Sequence, residues 1–244
     1  MSAMEVNFGA WFERSLAVYK VHWLPLVILF AAVGICVGVP QALVQSWLLG
    51  YPLLTLLFQL AVVVAITGPV MIGIARYVLR LFDHPDQAVD LGAAFRAALE
   101  GYQQFKDAAL LFLIIGGAGF VAQYVLGLFL WPFLTTLGSA LISFFVATAF
   151  MFSMWLMAEH KCGFQAALSG SWSAVKDNFH VFLIFHLMAL GVGIAGVIAC
   201  GIGVVATVPL YFCLMAVAFR EVFPHLGAAE PAAEPPPPAA TPAP

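Results

Sequence analysis

Residues 108–158 read AALLFLIIGGAGFVAQYVLGLFLWPFLTTLGSALISFFVATAFMFSMWLMA, without a single Lys, Arg, Asp or Glu. A helix needs about 20 apolar residues to cross the hydrocarbon core of a bilayer. This run is therefore long enough for two crossings and a short turn. Two further runs, 21–75 and 178–219, are equally free of formal charge. Together the three runs predict an all-α integral membrane protein with six transmembrane helices.

Helix-breaking residues divide each run near its middle. They include Pro40 and Pro52 in the first run, Pro132 and Gly138 in the second, and Gly201 and Gly203 in the third. We therefore expect crossings near residues 24–45, 53–79, 108–130, 134–158, 180–200 and 203–222.

Composition supports the membrane class. Of the 244 residues, 64% are hydrophobic and 9% are charged, whereas soluble domains carry roughly 25% charged residues. The few basic residues are spread along the chain, which argues against a nucleic-acid surface. We find no nucleotide-binding loop, zinc motif or Ser/His/Asp set, so the sequence predicts no cofactor and no catalytic site.

The basic residues predict the orientation. In the six-crossing scheme all nine lie on one side: Arg14, Lys20, Arg76, Arg80, Arg96, Lys106, Lys161, Lys176 and Arg220. Short loops rich in Lys and Arg stay in the cytoplasm. We therefore expect a multi-pass protein of the cell inner membrane, with both termini cytoplasmic and the lipid bilayer as its first partner.

Three segments share one helical spacing of apolar or small residues. The segments start at Phe8, Leu91 and Phe164, and the shared positions recur three and four residues apart, which marks one face of a helix. Charged or polar residues occupy the opposite face. The pattern predicts three amphipathic helices lying in the membrane interface, each just ahead of a crossing. Asn7 and Asp90 are suited to cap two of them.

The second half of each predicted unit also repeats, and chance matches between apolar segments are the alternative explanation. Thr67, Thr148 and Thr207 each precede a basic residue by thirteen positions, and two of them precede a Pro by two. This pattern predicts a matched kink. The sequence thus predicts a threefold repeat of interfacial helix, crossing and crossing.

The predicted units span about 8–82, 91–162 and 164–224, and would be related by rotation about the membrane normal. They form one membrane domain over residues 1–226. Residues 227–244 read GAAEPAAEPPPPAATPAP. This composition predicts a disordered, Pro- and Ala-rich tail.

One bacterial family resembles this pattern. The resemblance is carried by Ala166, Ser171, Lys176, Phe179 and Pro209, and earlier in the chain by Ala10, Ser15, Lys20, Trp23 and Pro69. These positions are similar to the membrane domain that precedes the catalytic barrel of some glycerophosphodiester phosphodiesterases. That domain also occurs alone in bacterial multi-pass membrane proteins. The resemblance implies a fold without an activity, because only the tail follows Leu226.

Two groups of residues are candidates for function. The first could line a ligand pathway inside the membrane: His186, Thr67, Thr148, Thr207, Gln59 and Gln123. An ionisable residue within a crossing is a functional candidate by default. A neutral His186 bonded to a neighbouring helix is the alternative.

The second group would form a cytoplasmic cluster of Asp83, His84, Asp86 and His160. The stretch from Asp83 to Asp90 is interpreted as a rigid, solvated turn. Two alternatives are a metal site, and a chaperone-docking loop of the kind found in J-domains, which shares the His-Pro-Asp tripeptide.

Three function hypotheses follow. The first is a non-catalytic scaffold or accessory subunit that binds a protein partner at its cytoplasmic face or Pro-rich tail. The second is a transporter or lipid-handling protein for a neutral or amphiphilic ligand, and the third, minor one is an enzyme at the cytoplasmic face. Gly34 and Gly38 form a GxxxG motif. We expect this motif to pack helices together, and a homo-oligomer seam is the alternative.

Overall fold

The fold is known from a computed structural model, which describes residues 7–48, 50–84, 90–198 and 202–224. Helix accounts for 92% of these residues, and none of them forms a strand. Asp86 and the predicted tail lie outside the described residues.

Ten α-helices follow one another within the described residues. They are α1 (Phe8–Trp47), α2 (Pro52–Val62), α3 (Gly68–Asp83), α4 (Leu91–Glu100), α5 (Phe105–Gly127), α6 (Pro132–Ala149), α7 (Ser153–His160), α8 (Phe164–Val175), α9 (Phe179–Ile198) and α10 (Ile202–Val222). A π-helical turn at Val63–Thr67 joins α2 to α3, and 3₁₀ turns at Gly101–Gln104 and Lys176–Asn178 precede α5 and α9.

In the part of the chain that the structure describes, six continuous helical segments are long and apolar enough to cross a membrane. They are Phe8–Trp47, Leu53–Asp83, Leu91–Gly127, Pro132–His160, Phe164–Ile198 and Gly203–Val222. The predicted number of crossings is therefore confirmed by the length and composition of the helices. Six such helices are consistent with a multi-pass membrane protein. One predicted turn is displaced, because α6 begins at Pro132 and so includes Gly138. Proline suits the first helical turn, where its missing N–H is not needed.

A local irregularity interrupts the three segments that begin with a predicted amphipathic helix. Within α1, His22 has non-helical angles of φ −112° and ψ 17°. The two 3₁₀ turns occupy the corresponding places before α5 and α9. The predicted N-caps are confirmed, since Asn7 accepts a hydrogen bond from the N–H of Ala10 and Asp90 accepts one from the N–H of Gly92.

A helix irregularity lies near two of the three threonines at which the matched kink was predicted. The π-helical turn ends at Thr67, and α6 breaks at Phe150, where φ is −113° and ψ is 21°. In contrast, α10 continues through Pro209. The break without a proline is instead stabilised by Ser171 of α8, as described below.

The core is centred on α3, α7 and α10, which together hold about half of the fully buried side chains. Helix α1 packs against α10, α4 packs against α3, and α8 packs against α7. Two glycines allow α3 and α4 to approach closely. A Cβ added to Gly101 would overlap the carbonyl oxygen of Pro69, and one added to Gly73 would overlap the carbonyl oxygens of Ala97 and Ala98.

The prediction that Gly34 and Gly38 pack helices together within the chain is wrong. A Cβ added to either glycine would meet nothing within 4 Å. Both residues line a cavity between α1, the π-helical turn, α3 and α10. The sequence motif identifies small residues, but the neighbouring helices diverge here and leave no backbone for them to approach.

Candidate functional site

A polar cluster lies within the apolar part of the bundle, centred on His186 of α9. The imidazole Nδ1 is 2.9 Å from the hydroxyl of Thr148 on α6, and its Nε2 is 3.4 Å from the hydroxyl of Tyr211 on α10. Phe144 stacks on the ring at a centroid distance of 4.9 Å. His186 and Thr148 are buried. The cluster therefore joins three helices. Of the two alternatives predicted for His186, the structure has the ring bonded to neighbouring helices.

The other pathway candidates lie apart from this cluster. Thr207 donates a hydrogen bond to the carbonyl of Gly193 at 3.5 Å. Gln123 accepts a hydrogen bond from Ser139. Thr67 lines the cavity beside α1, and Gln59 is half-buried on α2. Of the six candidates, only Thr148 and His186 are hydrogen-bonded to each other in the described part of the chain.

Tyr211 was not among the residues predicted from the sequence. A signal was available, because Tyr211 lies four residues after Thr207 and such positions share one face of a helix. The phenol points to the same helix interface as the candidate threonine and completes the cluster around His186.

Ion pairs connect helix ends in a second polar region. We call this region the charged end, formed by Arg14, Arg76, Arg80, Asp83, Glu100, Glu159, Arg220 and Glu221. Arg220 of α10 is 2.6 Å from Asp83 of α3 and 2.9 Å from Glu159 of α7. It thus bonds the last turns of the three core helices to one another.

Further pairs at the charged end involve α1 and α4. Arg14 of α1 pairs with Glu221 of α10. Glu100 of α4 pairs with Arg80 of α3 at 3.1 Å and lies 3.9 Å from Arg76. These contacts hold α1 and α4 against the core helices.

The predicted cytoplasmic cluster is only partly described. Asp83 bonds Arg220, while His84 and His160 are exposed at the ends of α3 and α7. Asp86 lies outside the described residues. In the ranges that the structure covers, no group of three or more His, Cys, Asp or Glu side chains is arranged to hold a metal ion.

Cys162, beside His160, is half-buried between α7 and α8. Burial raises the pKa of its thiol above the usual value. Because the thiolate is the reactive form, this environment does not favour a nucleophile.

Apolar cavities lie between the helices. The cavity beside Gly34 and Gly38 measures about 730 Å³, and of its lining residues only Gln41 and Thr67 have polar side chains. A second cavity of about 680 Å³ lies between α6, α8 and α9, and its lining includes Phe145, Trp172 and Phe179. Sites of this size and polarity suit an apolar or amphiphilic molecule.

No family model, curated protein or solved structure matches the chain. The interpretation of its function therefore depends on the helices, the polar cluster, the charged end and the cavities.

Proposed function

We propose that the protein is a non-catalytic, multi-pass inner-membrane protein that serves as a scaffold or accessory subunit. The observation that carries this proposal is the closure of the charged end. Arg220 bonds α3, α7 and α10 together there, above a core that includes Phe152, Trp155 and Phe219. A closed, apolar core favours a structural role over a polar transport pathway.

The charged end faces the cytoplasm in this proposal. Its support is the placement of every Lys and Arg on one side of the six-crossing scheme, because basic loops are retained in the cytoplasm. A reporter fused after Leu130, in the turn between α5 and α6, is expected on the opposite side from one fused after Pro244. Reporters on the same side would contradict the six-crossing scheme.

The threefold repeat is part of the proposal, as is the relationship to the membrane domain of glycerophosphodiester phosphodiesterases. The repeat is supported by cyclic packing. Each amphipathic segment contacts the last crossing of the preceding unit: α1 contacts α10, α4 contacts α3, and α8 contacts α7. Corresponding positions in these segments are also buried: Trp11 and Ser15, Ala94 and Ala98, and Ala167 and Ser171.

The scaffold role is tested by asking whether a partner protein co-purifies with the chain through its Pro-rich tail. The full chain is isolated from its native membranes, with a chain lacking 227–244 as the control, and co-purifying proteins are quantified by mass spectrometry. We expect a stoichiometric protein with the full chain that is depleted from the truncated chain. If neither chain retains a stoichiometric protein, the scaffold role through the tail is wrong.

The second candidate function is lipid handling, and the cavity of about 730 Å³ favours it. Gly34→Leu places an apolar side chain where a Cβ meets nothing within 4 Å. It should therefore lower the amount of co-purified lipid seen by native mass spectrometry without lowering thermal stability. Gly50→Leu, which is also open but is not part of this lining, is the control. Equal lipid retention by both variants would contradict this function.

A further inference from the structure

A small polar cavity lies at the charged end between α3 and α7. It measures about 220 Å³ and is lined by Arg76, Leu79, Arg80, Asp83, Ala158, Glu159 and Lys161. Ligand sites for drug-sized molecules are roughly 300–1,000 Å³. This cavity is therefore suited to an ion or a single headgroup.

Arg76 gives the cavity an unused donor. The residue is 7% exposed, and its Nε donates a hydrogen bond of 2.9 Å to the carbonyl of Ala158. Its Nη2 is buried and has no hydrogen-bond partner among the described residues. A buried donor without a partner is unfavourable, especially on a charged group. An acceptor bound in the cavity would remove this penalty once the guanidinium turns its buried Nη2 towards it.

The carboxylates at the cavity are already engaged. Asp83 and Glu159 both accept hydrogen bonds from Arg220, and Glu100 pairs with Arg80. Arg76 and Arg80 share the single carboxylate of Glu100, and Lys161 forms no ion pair among the described residues. The balance of unused groups therefore favours an anion over a cation.

Lys161 is held in an uncommon backbone conformation. It caps α7 with φ 51° and ψ 29°, and is the one non-glycine residue with positive φ among those described. Glycine is the usual residue at such a helix end. A lysine here places a positive charge at the cavity at a conformational cost, which supports a role in binding.

We propose that Arg76, Arg80 and Lys161 form a binding site for one phosphate group. The phosphate could belong to an anionic phospholipid headgroup or be free inorganic phosphate, since both present the same oxygens. Basic pockets between membrane helices at the cytoplasmic side are suited to lipid phosphates. The inference rests on the proposed function, because a lipid phosphate can reach this site only if the charged end lies at a membrane surface.

The test uses Lys161→Gly in the full chain. Glycine adopts positive φ readily, so this variant removes the charge while the fold is retained. The exposed Lys106, which does not line the cavity, provides the matched control Lys106→Gly. Phosphate binding is followed by thermal shift in detergent with sodium phosphate against sodium chloride at equal ionic strength. Lipid binding is followed by native mass spectrometry from nanodiscs of phosphatidylcholine with or without phosphatidylglycerol.

We expect wild type and Lys106→Gly to bind, and Lys161→Gly to bind about tenfold more weakly, as fits the loss of one charged contact. Stabilisation by phosphate identifies the free ion as the source, and selective retention of phosphatidylglycerol identifies the lipid. Equal binding by the two variants, or no binding by wild type, overturns the proposal. The same thermal shift with magnesium chloride tests a cation: stabilisation by magnesium but not by phosphate also overturns the proposal, because the ligand would then be held by Asp83 and Glu159. None of these measurements reports orientation, so failure here is distinct from failure of the reporter test.

Discussion

At the scale of single residues, two glycines determine how closely α3 and α4 pack. The atoms that a Cβ at Gly101 or Gly73 would overlap are backbone carbonyl oxygens, of Pro69 in the first case and of Ala97 and Ala98 in the second. Backbone atoms of a packed helix cannot rotate away as a flexible side chain can. The helices must therefore separate if either glycine is replaced.

Gly101→Ala should destabilise the fold. Overpacking of this kind costs about 1–3 kcal/mol, and the overlap with Pro69 places the change at the upper end. The measurement is the midpoint of unfolding in mixed micelles. Gly117→Ala is the control, since a Cβ at Gly117 meets nothing within 4 Å and alanine favours helix. A midpoint for Gly101→Ala equal to that of Gly117→Ala would show that α3 and α4 are not packed as described.

Some residues of the polar cluster could be predicted from the sequence, but their contact could not. His186 was identifiable because an ionisable side chain is rare inside a charge-free run. Thr148 was identifiable from its alignment with two other threonines. Their contact was not, because it joins residues 38 positions apart through the packing of α6 on α9. Sequence patterns report which residue types are present on a helix, whereas contacts depend on how helices pack.

At the scale of helices, the break between α6 and α7 depends on a neighbouring element. The hydroxyl of Ser171 on α8 accepts a hydrogen bond from the N–H of Phe152 at 3.2 Å and donates one to the carbonyl of Ala149 at 3.1 Å. Both backbone groups lie at the interruption of the helix. A single side chain thus satisfies two groups in a region that is closed to water.

Ser171→Ala should therefore cost about 1–3 kcal/mol, because it leaves a buried donor and a buried acceptor without a partner. The control is Ser173→Ala, since the exposed Ser173 bonds only the carbonyl of Ser169 in its own helix. Unfolding midpoints and amide hydrogen exchange at Phe152 report the two effects. Unchanged exchange at Phe152 in Ser171→Ala would contradict the role of this hydroxyl.

The crossings were predictable at this scale because absence of charge over 20 residues is a local property of the chain. The N-caps at Asn7 and Asp90 were predictable for the same reason. The break at Phe150 lies two positions after Thr148, where the chain has a proline after Thr67 and Thr207, and its stabilising partner comes from α8. The absence of a close helix contact at Gly34 and Gly38 could not be predicted either, because the packing of neighbouring helices decides whether a small residue is covered.

At the scale of the whole molecule, the ion pairs of the charged end join segments that are distant in the sequence. Arg220 and Asp83 are separated by 137 positions. The sequence predicted that all basic residues share one side, because the number of crossings fixes the side of each loop. It could not predict the pairs, since these depend on the order of the helices around the bundle.

Arg220→Gln tests whether these pairs hold α3, α7 and α10 together. The Arg220 side chain is 13% exposed and has two carboxylate partners, which would be left facing each other. Breaking a buried pair costs about 3–5 kcal/mol, and we expect about 2–3 kcal/mol because Asp83 is 36% exposed and so remains partly hydrated.

The matched control is Arg96→Gln, whose pair with Asp90 is 74% and 61% exposed and is worth about 0–1 kcal/mol. Unfolding midpoints at low and high salt separate the two cases, since screening weakens the exposed pair much more than the buried one. If the two variants lose equal stability, the three core helices are held by their apolar contacts alone, and the charged end contributes nothing to closing the bundle.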